Sequence, residues 1–167
     1  VPYKDIHLLA AKIITTGLTQ LGLMKGDADA AVEAGAHALF FPHGLGHMMG
    51  LDVHDMEDLG EDYVGYSDEL KRSSQFGLKS LRLARALQPG FVLTVEPGIY
   101  FIPELIAQWK AESKHAEFID YEKVETYLGF GGIRIEDNVL VTEEGYRVLG
   151  PAIPKSIEEI EALRKGG

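Results

Sequence analysis

Three of the chain's six histidines, His43, His47 and His54, fall within a stretch of twelve residues, where an even distribution would place less than one. Glycines between them let the backbone approach closely while the imidazoles face a shared space. Imidazoles bind metals and transfer protons near neutral pH. A single histidine here would more often be a core or turn residue bonded to a carbonyl, but the cluster favours a common site.

Two glutamates have a setting that suits the same chemistry. Glu96 follows the apolar run Phe91 to Val95 and precedes Pro97-Gly98, so a short turn fixes its direction. Glu136 alternates with isoleucines and shares a strand face with Arg134. Both glutamates could equally be solvated strand residues. If both faces of the strand are covered, the Arg134 and Glu136 pair needs a metal or a partner.

One histidine and two glutamates from separate strands form a hard, oxygen-rich ligand set. This set suits Mn²⁺ or Co²⁺ and tolerates Zn²⁺. Three protein ligands hold one metal weakly, and a two-metal site bridged by carboxylates needs further ligands, normally aspartates.

The elements that must position these residues follow from periodicity and from start and stop signals. Ser156 and Glu159 match a capping box at the start of the last helix. The helices are predicted from Asp5 to about Leu21, from Asp27 through Ala30 to Leu39, from about Ser74 to Leu87, from Pro103 to about His115, and from Ser156 to near Gly166.

Strands are predicted where β-rich runs end in turn residues. Phe91 to Val95 is one such run. Ile133 to Val141 and Tyr146 to Leu149 form a hairpin around Glu143-Glu144-Gly145, while residues 40 to 66 are irregular. The pattern indicates a mixed α/β (α+β) chain forming one domain or part of one.

Composition excludes several classes of function. The 167 residues carry 26 acidic and 16 basic side chains, a formal charge of -10, which argues against nucleic-acid binding. No apolar window of membrane length occurs, and Val1 to Asp5 does not start a signal peptide. The absence of cysteine excludes disulfides, cysteine-ligated zinc and thiol catalysis, and fits a cytoplasmic protein.

Over about residues 39 to 150 the chain resembles the pita-bread (M24) metallopeptidases, the family of methionine aminopeptidase, Xaa-Pro aminopeptidase and prolidase. Within the family the version found in prolidase is the most similar, because Gly77 to Arg85 and the insertion from Phe101 to Phe130 also match it. The motifs that carry the resemblance are His43-Gly44-Leu45-Gly46-His47, Leu51-Asp52-Val53-His54-Asp55, Thr94-Val95-Glu96-Pro97-Gly98-Ile99-Tyr100 and Gly131-Gly132-Ile133-Arg134-Ile135-Glu136-Asp137.

The resemblance implies a partial pita-bread fold, with a curved, mostly antiparallel sheet covered by helices. It also implies that His47, Glu96 and Glu136 are metal ligands, with Glu136 bridging two ions and Glu96 also shuttling a proton. His43 and His54 would lie beside the substrate, and His54 would donate a hydrogen bond to the scissile carbonyl or the tetrahedral intermediate.

Two arginines also match functional positions of the family. Arg134 would orient ligands or substrate near the metals, and Arg82 would bind the free carboxylate of the substrate bidentately. The implied activity is hydrolysis of the peptide bond before proline in Xaa-Pro dipeptides. Two divalent cations, Mn²⁺ first with Co²⁺ or Zn²⁺ as alternatives, and a homodimer are part of the same expectation.

One departure from the family pattern changes the expectation for this chain. The family supplies two ligating aspartates from a hairpin that would precede Val1, so residues 1–167 are expected to be the C-terminal part of a catalytic domain. Such a chain would bind metal weakly or not at all and have little activity alone. The alternatives are an Xaa-Pro aminopeptidase that acts on longer peptides and a non-catalytic binding module of the same fold.

Overall fold

Helices and antiparallel strands alternate along residues 1–165, which the computed structural model describes, and this confirms the mixed α+β class. The helices are α1 (Tyr3–Gln20), α2 (Ala28–Ala34), α3 (Glu61–Gly65), α4 (Pro103–Ala111), α5 (Tyr121–Glu125) and α6 (Ile157–Lys165). The strands are β1 (Val92–Val95), β2 (Gly98–Tyr100), β3 (Gly132–Arg134), β4 (Asp137–Thr142) and β5 (Gly145–Val148).

The first two predicted helices are present, but the second is shorter than predicted. Helix α1 buries one stripe, at spacings of three and four residues, that includes Tyr3, His7 and Leu18. Asp27 caps α2 by accepting a hydrogen bond from the amide of Ala30 at 2.9 Å. Gly35, at φ 87°, ends α2, and a separate 3₁₀ turn covers Ala36–Leu39.

The helix predicted from Ser74 to Leu87 is wrong, because only a 3₁₀ turn at Leu78–Ser80 forms there. The extended residues that follow use their backbone groups elsewhere. The amides of Ala84 and Arg85 both donate to Gly65 O at 2.8 Å, and the carbonyls of the same two residues accept from the first amides of α1. Ala84 and Arg85 thus use their backbone groups in long-range hydrogen bonds, two of which cap the start of α1, and no local helix forms.

The five strands form one antiparallel ribbon, made by β1 to β4, and a hairpin made by β4 and β5. β1 pairs with β4, β2 pairs with β3, and both pairs have the same register, so the two ladders are one ribbon interrupted at Glu96-Pro97 and at Ile135-Glu136. Pro97 lacks an amide donor, which accounts for part of the interruption. The predicted hairpin forms from β4 and β5, although Ile133 to Val141 is divided between β3 and β4.

Two apolar clusters hold the elements together. One surrounds Trp109 and Phe40 and joins the C-terminal half of α1 to α4 and α5, with Ile106 and Trp109 buried. The other joins the start of α1 to β1 through Tyr3, Phe41 and Leu93. The second cluster lies directly beneath the histidine segment, so the packing of α1 against β1 determines where that segment lies.

The last helix begins as predicted. Glu159 accepts from the amide of Ser156 at 3.0 Å and Ser156 Oγ accepts from the amide of Glu159 at 3.2 Å, which is a capping box. Its predicted end near Gly166 lies outside the described residues. Among the helices of residues 1–165, none combines the length and the apolar composition needed to cross a bilayer.

Candidate metallopeptidase site

The histidine segment lies along the free edge of β1. The amide of Thr94 donates to His47 O at 3.0 Å and the amide of Glu96 donates to Leu45 O at 2.7 Å. These antiparallel contacts place His47 beside Thr94 and bring its ring to the end of β1 where Glu96 lies. Backbone pairing between distant segments therefore assembles the first two candidate ligands.

Two glycines are required for this approach of the segment to its neighbours. A Cβ on Gly46 would lie 1.9 Å from Thr94 O and 2.7 Å from the Tyr3 hydroxyl. A Cβ on Gly44 would lie 2.9 Å from the Cα of Leu81. A side chain at Gly46 would push the segment away from β1, and one at Gly44 would push it away from Leu81.

His47 and Glu96 form a buried and oriented pair. His47 Nε2 lies 3.4 Å from Glu96 Oε1, and the two side chains are 5% and 12% exposed. His47 Nδ1 donates to Met48 O at 2.9 Å, which orients the ring so that Nε2 faces Glu96. Thr94 Oγ1 accepts from the amide of His47 and donates to Glu96 Oε1 at 3.3 Å, which fixes both partners.

Glu96 faces Glu136 across the interrupted ribbon, because the same register continues on both sides of the break. Two carboxylates directly opposite each other repel and require a positive charge between them. Arg134 supplies one, with Nη1 at 3.5 Å from Glu96 Oε2 and Nε at 3.4 Å from Glu136 Oε2. The arrangement is suited to a cation held by both glutamates.

The donor atoms fit a divalent cation only in part. A histidine Nε2 whose tautomer is fixed by a carbonyl, next to a carboxylate, matches the way metal-binding histidines are oriented. Within residues 1–165, however, no three histidine, aspartate or glutamate side chains converge closely enough to hold a metal ion. Two of the three predicted ligands, His47 and Glu96, come together, and Glu136 is linked to them through Arg134.

One pocket of about 300 Å³ gathers nearly all the predicted site residues. The histidines make specific contacts there: the rings of His54 and His47 are 4.3 Å apart, and His43 Nε2 lies 3.2 Å from the Tyr100 hydroxyl. Glu136 is not among the residues that line the pocket. The lining consists of His43, Gly44, Gly46, His47, His54, Ser80, Arg82, Glu96 and Arg134.

Arg82 lines this pocket, where a residue that binds a substrate carboxylate is expected. Arg82 also forms an ion pair that no sequence pattern indicated. Its Nη1 donates to Glu57 Oε2 at 2.5 Å. Glu57 comes from the irregular segment before α3, 25 residues away along the chain, and no local pattern marks it.

The sequence analysis also missed two residues of α1 that support the site from below. His7 Nδ1 accepts from the amide of Leu45 at 3.2 Å, and the Tyr3 hydroxyl donates to Thr94 O at 2.7 Å. They lie four residues apart on the buried face of α1. The sequence feature that could have identified them was His7, a histidine on the largely apolar buried face of α1.

Burial shifts the pKa values of three side chains in this region, His7, His37 and Tyr3. The pKa of His7 is lowered to about 3, first by burial and then by His37 and His43. Burial, followed by the charge of His115, lowers the pKa of His37 to about 4. Burial and the nearby Glu96 carboxylate raise the pKa of Tyr3 above its ordinary value. These groups are therefore neutral at physiological pH and act as structural supports.

Comparison with known proteins gives one family and a consistent set of relatives. The model of metallopeptidase family M24 matches residues 1–143. Xaa-Pro dipeptidase of Homo sapiens is 45% identical over 164 residues, and a probable Xaa-Pro aminopeptidase of Fusarium vanettenii is 42% identical over 161. The alignments cover 98% and 96% of this chain but 32% and 33% of those proteins, so the chain spans about a third of the length of these curated relatives.

Solved structures agree with the sequence relatives. Aminopeptidase P from E. coli, with the inhibitor Pro-Leu, superposes with a TM-score of 0.66 at 34% identity, covering 99% of this chain and 29% of that one. Proline aminopeptidase P II from Yersinia pestis gives a TM-score of 0.67 at 32% identity, covering 100% and 30%. The predicted pita-bread fold class is confirmed.

Proposed function

Because this chain belongs to metallopeptidase family M24, we propose that it supplies the His47, Glu96 and Glu136 part of a dinuclear-metal site that hydrolyses the peptide bond before proline. The observation that carries the proposal is the shared register of the two ladders, which places Glu96 opposite Glu136, with His47 beside Glu96. That the relatives are named for Xaa-Pro substrates supports the substrate class.

The three ligands proposed from this chain are too few for a two-metal centre. We propose that residues 1–167 are the C-terminal part of a pita-bread catalytic domain. Two aspartates from a hairpin that precedes this part would complete the ligand set. That the curated relatives are about three times longer supports this division.

The proposed cofactors are two divalent cations, Mn²⁺ first, with Co²⁺ and Zn²⁺ as alternatives. A ligand set dominated by carboxylates supports this choice. When bound, such cations supply a nucleophile by lowering the pKa of water and polarise the carbonyl of the substrate.

The side chains around the pocket have complementary proposed roles. Glu96, held by Thr94, accepts and returns a proton during hydrolysis. His54, exposed beside His47, donates a hydrogen bond to the carbonyl oxygen as charge develops on it. Arg134 keeps the two carboxylates together, and His43, fixed by Tyr100, lies beside the substrate.

Arg82 decides between the two activities of the relatives. In a dipeptide, the free carboxylate follows proline directly, so one guanidinium at the pocket wall can measure the substrate's length. We propose that this protein is an Xaa-Pro dipeptidase that uses Arg82 in this way. The alternative, an Xaa-Pro aminopeptidase, is favoured by the E. coli and Yersinia pestis structures and would not depend on this charge.

The deciding experiment compares hydrolysis of Gly-Pro and Gly-Pro-Gly by the metal-loaded full-length protein and its Arg82→Ala variant, after incubation with Mn²⁺, Co²⁺ or Zn²⁺. We expect kcat/KM for Gly-Pro to fall by about 100-fold, as for loss of a charged bidentate contact, and for Gly-Pro-Gly to fall far less. Arg85→Ala, three residues away and outside the pocket lining, is the control and should change neither. Equal losses on both substrates would contradict the dipeptidase assignment.

Two further properties belong to the proposal. We propose a cytoplasmic protein, supported by the absence of cysteine in all 167 residues. We also propose a homodimer for the full-length protein. The exposed apolar side chains of α6, Ile157, Ile160 and Leu163, provide surface that an interface could cover.

A further inference from the structure

We propose that Glu57 is a positioning residue that holds Arg82 at the pocket wall, and that Glu57 thereby sets the preference for substrates with a free carboxylate next to proline. This inference rests on the proposed role of Arg82. It starts from the 2.5 Å contact between Arg82 Nη1 and Glu57 Oε2, the shortest ion pair at the site.

The geometry places Glu57 behind the guanidinium and not in the substrate's path. Arg82 lines the pocket together with His54 and Arg134, whereas Glu57 is not part of the lining. The Arg82 side chain is 38% exposed, but that of Glu57 is only 12% exposed. Glu57 therefore contacts the guanidinium from the protein side and leaves the other side open to the pocket.

The contact uses only part of the guanidinium fork. Glu57 takes a hydrogen bond from Nη1, and no residue in the 1–165 range accepts one from Nε or Nη2. A guanidinium has five N–H donors in a fixed plane. With one end held by Glu57, the plane is oriented and the remaining donors can bind a ligand carboxylate at low entropic cost.

Glu57 is itself firmly placed, because its segment is attached to the one that carries Arg82. Gly65, at the end of α3, accepts from the amides of Ala84 and Arg85, and its own Cβ position lies 1.7 Å from Arg82 O. Arg72 ties the two segments again: it pairs with Glu61 at 2.8 Å and donates to Leu81 O at 3.2 Å. Residues 57–65 thus form a support for the backbone and the side chain of Arg82.

Met56, the residue before Glu57, has a left-handed conformation at φ 58°. This conformation is costly for a side chain of that size and persists only where the surroundings enforce it. The turn Glu57–Leu59 follows it, and the first residue of that turn carries the carboxylate that pairs with Arg82. The left-handed backbone at Met56 and the ion pair between Glu57 and Arg82 both support a positioning role for Glu57.

The test uses the full-length, metal-loaded protein and four variants: Glu57→Ala, Glu57→Gln, Arg82→Ala and the double variant Glu57→Ala/Arg82→Ala. Dissociation constants are measured by calorimetry for Gly-Pro with inactive Ca²⁺ in place of Mn²⁺, and for the same dipeptide with an amide in place of its carboxylate. The ratio of the two constants reports the carboxylate subsite alone. Asp62→Ala, which removes an exposed partner of Arg72, is the matched control.

We expect Glu57→Ala to weaken Gly-Pro binding by about 10-fold while leaving the amide unchanged, as for other residues that orient a binding side chain. Glu57→Gln keeps an acceptor for Nη1 and should recover most of the loss. The double variant should be no worse than Arg82→Ala, since Glu57 acts through Arg82. A purely structural role would weaken both ligands equally and would overturn the inference.

Two other results would also overturn it. Tighter binding of Gly-Pro by Glu57→Ala would mean that Glu57 competes with the substrate for Arg82. Unchanged binding by Glu57→Ala, together with a lost preference in Arg82→Ala, would refute the role of Glu57 and leave that of Arg82 intact. If Arg82→Ala itself keeps the preference for the carboxylate, the proposed role of Arg82 fails, and with it the inference.

Discussion

The two sides of the pocket are supported in different ways. The histidine side, His47 and Glu96, is fixed by backbone pairing along β1, by Thr94 and by two buried residues of α1. The arginine side, Arg134 and Glu136, lies at the end of the exposed strand β3 and is held by ion pairs of 3.4 to 3.5 Å. Two of the three predicted ligands are thus built into the core, and the third, Glu136, is more exposed.

This difference means that stability and function are coupled on one side only. A change on the histidine side disturbs the packing of α1 against β1, so it affects folding and the site together. A change on the arginine side alters partly exposed charges, which contribute little to stability. The predictions below test this contrast from the largest effect on stability to the smallest.

The strongest test is Gly46→Ala. The added methyl group would overlap the backbone oxygen of Thr94, which cannot move without breaking the pairing along β1. We expect a loss above about 4 kcal/mol, at the level of the most damaging single substitutions. Urea unfolding followed by circular dichroism measures it. The control is Gly17→Ala in α1, where a methyl group meets nothing within 4 Å and should stabilise by about 0.5–1 kcal/mol.

Acid should destabilise the histidine side specifically. His7 and His37 have pKa values of about 3 and about 4 when folded, against 6.5 when exposed. The unfolded chain therefore binds more protons below pH 6.5, and stability falls as the pH decreases from about 6.5 to about 4. The two groups together give about 2.7 kcal/mol per pH unit.

Unfolding midpoints at pH 7, 6 and 5 measure this slope. His37→Phe should remove about half of it, because His37 makes no ring hydrogen bond to the described residues and phenylalanine cannot take up a proton when the chain unfolds. Equal stability of the unmodified chain at pH 7 and pH 5 would show that these histidines are not kept neutral by the fold.

The smallest effect on stability is expected for Arg134→Gln. Arg134 is about half exposed, so its two ion pairs should contribute less than about 1 kcal/mol. Activity of the full-length protein on Gly-Pro should nevertheless fall about 10- to 100-fold, because the two carboxylates lose the group that orients them. Arg147→Gln on the exposed strand β5 is the control. A loss of stability like that of Gly46→Ala would remove the distinction between the two sides.

The sequence was sufficient wherever the signal was local. The start of α2 at Asp27 and the Ser156–Glu159 capping box were correctly predicted, because capping involves residues three apart. The amphipathic pattern of α1 and the β-rich run of β1 were also interpreted correctly. The motifs brought six of the seven predicted site residues to one pocket, since each motif lies at a fixed point of a strand or its edge.

Long-range pairing determined what the sequence could not show. Ser74 to Leu87 has helical composition, but the backbone groups of Ala84 and Arg85 bond to Gly65 and to the start of α1, so the chain after the 3₁₀ turn is extended. The same holds for Glu57 and His7, whose partners lie 25 and 38 residues away. No local sequence pattern predicts such pairs, because each forms only when two distant segments come together in the folded chain.

The shared register of the ribbon has a consequence for how the chain tolerates changes in length. Glu96 and Glu136 face each other because β1 and β2 run against β3 and β4 without a slip. Inserting or deleting one residue between Val92 and Glu96 would move the Glu96 side chain to the opposite face of the ribbon, so the two carboxylates would no longer face each other. Additional residues near Gly129, where open space surrounds the backbone, would leave their alignment untouched.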